Sequence, residues 1–327
     1  MAKRVNLLAD REILPLLAGI EPAEAQWVLR DYLAGRMSPT IALARIVLSV
    51  GDVSEVEALV DAAERAWEPP VPPALTRLIK LLREHRPGLE RVAANLGEHP
   101  DPQIPFDSPE DGIAAARRFF ERAVRRGEEA SVAAYSLGDA KLLAKGTREI
   151  VEVFERWGLL GPDRRTLEIG CGIGRLQAAL APRVAAAHGI DIAPRMIAAA
   201  RRRCAALPNV VLAVTNGRHL GGLADASFDL VFAVDSFPYI HHAGPELVTT
   251  HFREAKRVLR PGGEVALFNF SYRDDVAADR REFVRLCSDH GFELVANGEQ
   301  PFKMWDGVAF RARKPLISDC SSMPLTD

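Results

Sequence analysis

The residues best suited to chemistry in this 327-residue chain are an acid and three glycines at alternate positions, Glu168-x-Gly170-x-Gly172-x-Gly174. Alternate glycines let the backbone turn through positive φ and let a ligand approach main-chain atoms. A dinucleotide site has the spacing G-x-G-x-x-G, and its third glycine would fall on Arg175. The acid would repel a pyrophosphate but suits a ligand with an amino group. We therefore predict a nucleoside-binding turn.

A second acid, Asp191, stands at the end of the predicted strand Val184–Ile190. A carboxylate in this position can accept hydrogen bonds from both hydroxyls of a ribose. Alternatively, or in addition, Asp191 is the N-cap of the next predicted helix, 195–206. Ile192 and Met196 follow as apolar neighbours for an adenine ring.

Candidates for catalysis follow the fourth predicted strand, Phe228–Val234, whose apolar run is typical of a parallel sheet covered on both faces. Ligands bind beyond the carboxyl ends of such strands. We predict catalytic roles for Asp235, Tyr239 and His241, with a histidine as a plausible base near neutral pH. His241 and the histidine after it point in different directions, so no metal site is predicted.

Strands and helices alternate along this half of the chain. We predict strands at 166–169, 184–190, 209–214 and 228–234, then one after a proline-glycine turn, and two more at 292–296 and 304–311. Trp305 would start the last of them, as a pocket wall or as ordinary sheet packing.

These blocks resemble the class I S-adenosylmethionine-dependent methyltransferases over roughly Glu149 to Arg313. The glycine loop resembles motif I of that family, and the block from Ala255 to Asn269 resembles another recurring segment. The resemblance implies an α/β fold with a seven-stranded, mostly parallel, doubly wound Rossmann-like sheet. Its last strand would insert antiparallel between the fifth and sixth. The implied cofactor is S-adenosylmethionine.

The resemblance also implies site residues. Relatives carry a tyrosine upstream of motif I that reaches over the methionine end of the cofactor, and Tyr135 is the candidate unless it only packs between helices. Many relatives place an acid where this chain has Asn216, which could accept the adenine amino group or could simply be a turn residue. The predicted cofactor-binding set is Tyr135, Glu168, Gly170, Cys171, Gly172, Gly174, Asp191, Ile192, Met196, Asn216, Gly217, Asp235 and Ser236.

Four segments are predicted. Residues 1–108 form an all-α domain that covers the site or mediates dimerisation, and 109–148 are linking helices over the cofactor site. Residues 149–314 form the Rossmann-like domain, and 315–327 a flexible tail. Within the first segment Ser38-Pro39 predicts one helix start, Ser54 with Glu57 predicts a capping box, and a further helix spans 74–84.

Composition excludes several classes of protein. The net charge of -2 provides no electrostatic footprint for nucleic acid, and four scattered cysteines indicate neither a zinc site nor a disulfide framework. Asp10, Arg11 and Glu12 come too early for a signal peptide, and no apolar run is long enough to span a membrane. We expect a cytoplasmic protein that acts on a small-molecule acceptor, and a homodimer is a possible assembly.

Three functions remain open from the sequence. The first is O- or N-methylation of a small molecule, with the helical domain shaping the acceptor pocket. The second is transfer or cyclisation of the aminobutyrate arm of S-adenosylmethionine, with release of methylthioadenosine. The third is a noncatalytic sensor that binds the cofactor.

Overall fold

The computed structural model describes residues 21–67 and 69–316. These residues divide into two compact units. One, the helical unit, comprises the described residues up to Pro100 together with Arg118–Ile150 and Phe302–Asp306. The other, the sheet unit, comprises Asp101–Arg117, Val151–Pro301 and the described residues from Gly307 onward. Residues 10–12 and most of the predicted tail, from 317 onward, lie outside the described residues.

The helical unit begins with helices α1 (Ala23–Leu33), α2 (Pro39–Val50), α3 (Val53–Ala66) and α4 (Pro73–Leu96). Their apolar faces share one core, which includes Leu29, Leu43, Val60 and Leu82. The predicted start of α2 is confirmed, because the Ser38 hydroxyl accepts the Ile41 N–H at 3.3 Å.

Two predictions about these helices are wrong. The N-cap of α3 is Asp52 rather than Ser54, because its carboxylate accepts the N–H groups of Ser54 and Glu55 at 2.8 and 3.1 Å. An ionised acceptor is favoured at the positive end of a helix. Helix α4 does not stop at Glu84 but continues past Pro87 to Leu96.

Two further helices, α5 (Pro109–Arg126) and α6 (Ala140–Arg156), each run from one unit into the other. Short 3-10 turns at Glu129–Ser131 and Ala134–Ser136 separate them. The first two turns of α5 thus belong to the sheet unit, although the sequence placed them in a linking segment. The predicted boundaries of the four segments stay predictions.

The sheet unit contains β1 (Gly161–Ile169), β2 (Val184–Asp191), β3 (Val210–Val214), β4 (Phe228–Val234), β5 (Leu259–Phe268), β6 (Glu293–Glu299) and β7 (Ala309–Arg313). In the described residues they form one seven-stranded sheet in the order β3-β2-β1-β4-β5-β7-β6. Strand β7 is antiparallel to both of its neighbours, and the pairs among β1 to β5 are parallel. The predicted fold is therefore confirmed.

The strand order reverses between β1 and β4, since the chain leaves β1 toward β2 and returns to β4 on the other side. Such a reversal leaves a crevice at the carboxyl ends of the two strands, where doubly wound sheets bind their ligands. The intervening helices are α7 (Arg175–Leu180), α8 (Pro194–Arg203), α9 (Phe237–His242), α10 (Pro245–Val258) and α11 (Val276–His290).

Three strand predictions have the wrong start. Strand β1 begins at Gly161 and not at Thr166, β5 begins at Leu259, before the proline-glycine pair and not after it, and β7 begins at Ala309 and not at Met304. The N–H groups of Lys303 and Met304 donate to the carboxylate of Glu149, at 2.6 and 3.0 Å, instead of joining a ladder. Trp305 consequently lies in the loop before β7. Of the described helices, none is both long and apolar enough to span a bilayer.

Candidate functional site

The glycine loop leaves β1 in a conformation that favours glycine. Gly170, Gly172 and Gly174 have φ of 75°, 53° and 72°. A Cβ on Gly170 would lie 2.3 Å from that of Ser236, and one on Gly174 would lie 2.8 Å from that of Ala200. The glycines therefore let the loop approach both the end of β4 and helix α8.

The Asp191 carboxylate joins the end of β2 to this loop. Its Oδ2 accepts the N–H of Gly172 at 2.9 Å, and its Oδ1 accepts the N–H of Ala193 at 2.8 Å. The N-cap of α8 is Ala193, without a side-chain cap bond, so the N-cap alternative for Asp191 is wrong. Asp191 is buried and lies where a ribose-binding acid is predicted.

Glu168 is a buried acid and the last residue but one of strand β1, with only 3% of its surface exposed. Gln177 Nε2 donates to its Oε2 at 2.7 Å. Burial raises the pKa of Glu168 to about 8, while the Gln177 bond and the charge of Arg175 oppose that rise. Glu168 is therefore largely protonated near neutral pH until a cation reaches it.

This shifted pKa predicts a pH-dependent stability. The folded protein keeps a proton on Glu168 up to about pH 8, whereas the unfolded chain releases it near the ordinary pKa of 4.5. Stability is therefore full below about pH 4.5 and falls as the pH rises toward 8. We expect Glu168→Gln to raise the free energy of unfolding at pH 8 by roughly 4 kcal/mol relative to its effect near pH 4.5, because the ionisation is removed and each pKa unit corresponds to about 1.4 kcal/mol.

Thermal unfolding of both proteins at about pH 5 and pH 8 checks this expectation. The midpoint of the variant should exceed that of the wild type mainly at the higher pH. An offset of equal size at both pH values would show that Glu168 does not ionise differently in the folded state.

The two predicted apolar neighbours of the adenine ring differ in their exposure. Met196 is fully buried in the core, whereas Ile192 is partly exposed beside the loop. Asn216 Oδ1 accepts the N–H of Arg218 at 2.9 Å, which is the turn role weighed from the sequence. Gly217, with φ of 79°, faces the Ile192 side chain.

A polar cluster joins the carboxyl ends of β4 and β5. Asp235 and Asn269 both have positive φ, 56° and 63°, and Asn269 Nδ2 donates to Asp235 Oδ1 at 2.6 Å. The Tyr272 hydroxyl donates to the Asp235 carbonyl at 3.3 Å, and its ring lies edge-on to that of Tyr239 at 5.8 Å. Non-glycine residues in this backbone conformation concentrate at functional sites.

The two tyrosines of this cluster can donate hydrogen bonds but cannot act as bases. Burial raises the pKa of Tyr239, and the nearby Asp235 charge raises it further. The same two causes raise the pKa of Tyr272 well above its ordinary value. Both phenols therefore stay protonated, and Asp235 is the carboxyl group of this cluster.

His241 lies next to this cluster in the chain, and its side chain contacts Glu282, which is not part of the cluster. Its Nε2 contacts Glu282 Oε2 at 3.3 Å, and Arg273 Nη1 contacts the same oxygen at 2.8 Å. The His241 bond, with Arg273, lowers the pKa of Glu282 to about 2. The pairing joins α9 to α11, which is a packing role beside the predicted catalytic one.

Tyr135 belongs to the helical unit and is described there by itself. It is 5% exposed, its ring centroid lies 5.8 Å from that of Trp305, and a Cβ on Gly146 would lie 2.6 Å from its Cε2. This is the helix packing that the sequence left as an alternative. Its role at the methionine end of a cofactor stays a prediction.

The sequence missed Asn269 as a partner of Asp235. The available signal was an amide directly after the apolar strand β5, next to a carboxylate directly after β4. Cys171 is a buried residue of the glycine loop, and burial raises the pKa of its thiol well above the ordinary value. Within residues 21–67 and 69–316, no group of three or more His, Cys, Asp or Glu is placed to hold a metal ion.

Comparison with known proteins points to the same part of the chain. Residues 167–267 match a family model described as "Methyltransferase domain". The chain is 34% identical over 132 residues to a demethylmenaquinone methyltransferase of Tropheryma whipplei, covering 40% of this chain and 52% of that protein. It is 30% identical over 141 residues to an S-adenosyl-L-methionine-dependent Diels-Alderase, iccD, of Talaromyces variabilis, covering 42% and 47%.

The chain thus spans about half the length of these curated relatives. Among solved structures, it is similar to phosphoethanolamine N-methyltransferase 1 of Haemonchus contortus, with 18% identity and a TM-score of 0.49. That similarity covers 66% of this chain and 51% of the other.

Proposed function

We propose that this chain is a class I S-adenosylmethionine-dependent methyltransferase that methylates a small molecule at oxygen or nitrogen, a proposal supported by its match to a methyltransferase domain. The observation that carries the proposal is the buried Asp191 carboxylate bonded to the Gly172 N–H. A carboxylate at the carboxyl end of β2 beside a positive-φ glycine loop fits a ribose, and Glu168 fits the amino group of a methionine arm.

The bound cofactor supplies an electrophilic methyl group on a sulfonium. The protein has to hold the acceptor atom in line with the S–CH3 bond, and such positioning contributes roughly 7 to 11 kcal/mol. We assign this task to the cluster of Asp235, Tyr239, Tyr272 and Asn269 beyond β4 and β5. Asp235 accepts the proton of a hydroxyl acceptor or attracts an amine, and the two phenols donate hydrogen bonds.

A second candidate keeps the cofactor but not the methyl transfer. One relative is named as a Diels-Alderase, and a Diels–Alder reaction joins carbon atoms without moving a methyl group. In this candidate the cofactor stays intact while the same cluster binds the reacting molecule. Transfer of the aminobutyrate arm differs from both, because it would release methylthioadenosine.

Mass spectrometry of the nucleoside product separates these candidates. Purified protein is incubated with S-adenosylmethionine carrying a trideuteromethyl group, with and without a small-molecule extract of its host. We expect S-adenosylhomocysteine only with extract, together with a deuterated small molecule that identifies the acceptor. Methylthioadenosine without extract, or intact cofactor beside a changed extract, would contradict the proposal.

A further inference from the structure

The start of helix α5, which is part of the sheet unit, packs closely against the segment after α9. Gly112 is buried, and a Cβ there would lie 2.5 Å from that of Ala243, the residue after α9. No larger residue fits between the helix and this segment without a shift. The next residue, Ile113, packs against the hydrophobic core of the sheet unit.

Ile113 reaches the turn after β3. A Cβ on Gly217 would lie 3.1 Å from Ile113 Cγ2 and 2.9 Å from Ile192 Cγ2. Two isoleucine side chains from distant parts of the sequence therefore face one glycine. Ile113 is only partly buried, so part of its surface remains available for contact.

The position of Ile192 relates this contact to the nucleoside. Ile192 directly follows Asp191 and lies against Gly217, so these residues would border the base of a nucleoside whose ribose is held by Asp191. The flat face of a purine is apolar, so its contact with aliphatic side chains stabilises the bound state. Ile113, on the same glycine, supplies such a side chain.

A second contact holds the same two elements together. Glu110, one turn before Ile113, pairs with Arg218, the neighbour of Gly217. Both side chains are about half exposed, and a cleft of about 420 Å³ opens beside them. An exposed pair of this kind contributes little. The pair therefore adds little to the contacts of Gly112 and Ile113.

We propose that Ile113 contacts the adenine end of the cofactor, together with Ile192 and the backbone of Gly217. This inference rests on the proposed function for the identity of the cofactor. It makes the first two turns of α5 part of the cofactor site, with a residue outside the matched domain determining adenine affinity.

Calorimetric titration with S-adenosylhomocysteine tests the proposal without any acceptor. We expect Ile113→Ala to weaken binding about tenfold, which corresponds to about 1.4 kcal/mol. Ile113→Val should weaken binding about threefold and serves if the alanine variant does not fold. Arg117→Ala, at an exposed position on the same helix, is the matched control and should stay within twofold.

Methylthioadenosine is the second probe, because it keeps the adenine but lacks the aminobutyrate arm. Ile113→Ala should weaken its binding by the same factor. Unchanged affinity for both ligands, or a loss only for S-adenosylhomocysteine, would overturn the assignment. A wild-type protein that binds neither ligand would instead overturn the proposed function itself.

Discussion

Asp191→Asn is expected to weaken the binding of S-adenosylhomocysteine about 100-fold. The carboxylate at present accepts the N–H groups of Gly172 and Ala193 through its two oxygens. An asparagine can offer one oxygen, and its amide places a donor against one of these N–H groups. The loop would lose a bond that sets its position, and the ribose would lose a charged acceptor.

The magnitude follows from the cost of hydrogen bonds to charged groups. Each contributes about 1.5 to 3 kcal/mol, so losing one or two costs roughly 10- to 100-fold or more in affinity. Calorimetric titration of wild type and variant gives the ratio. Asp163→Asn, at an exposed position on β1, is the matched control and should bind like wild type.

A folded Asp191→Asn variant with wild-type affinity would show that this carboxylate does not hold the ribose. The fold of the variant is checked by its thermal midpoint. Because Asp191 is buried, a lower midpoint is expected as well, but the affinity of the folded fraction decides the prediction.

The glycine loop and Asp191 could be predicted because their chemistry is local. Conformation at positive φ, and an acid at the end of an apolar strand, can both be recognised within a few residues. The order of the strands came from resemblance to a family, since a sequence pattern alone does not say where β7 inserts. The structure agrees with that order.

Two of the wrong predictions concern backbone N–H groups for which more than one acceptor is available, and residue spacing does not show which acceptor they bind. Asp52 and Ser54 are both acceptable caps, and the ionised side chain accepts the N–H groups. The segment at Met304 reads as a strand, yet Glu149, far away in the sequence, accepts its N–H groups. Likewise, nothing near Ile113 in the sequence indicates its contact with Gly217.

Glu264→Gln is expected to lower the free energy of unfolding of the sheet unit by about 3 to 5 kcal/mol. Glu264 lies on β5, and its side chain is 6% exposed. Its Oε2 accepts from Arg311 at 3.1 and 2.7 Å, and its Oε1 accepts from Arg313 at 3.1 and 2.8 Å. One carboxylate thus pairs with two guanidinium groups across the β5–β7 pair.

The cost arises because Arg311 cannot return to water. Its side chain is 9% exposed, and its guanidinium carbon lies 4.3 Å from the ring centroid of Trp157. Removing the charge of Glu264 leaves a buried cation without its counter-ion, which is costly even if the amide keeps a hydrogen bond. Arg313 is 46% exposed and can be solvated, so losing its ion pair with Glu264 lowers the free energy of unfolding by less.

Thermal and urea unfolding, followed by circular dichroism, check this expectation. Glu293→Gln is the matched control. Glu293 lies on β6, is exposed, and stands opposite Arg313 of β7. Its substitution should lower the free energy of unfolding by at most about 1 kcal/mol. The double variant Glu264→Leu with Arg311→Leu should recover much of the loss, since apolar residues can replace a buried pair. If Glu264→Gln unfolds like the control, solvent already reaches Arg311, and the pair does not stabilise the antiparallel edge of the sheet.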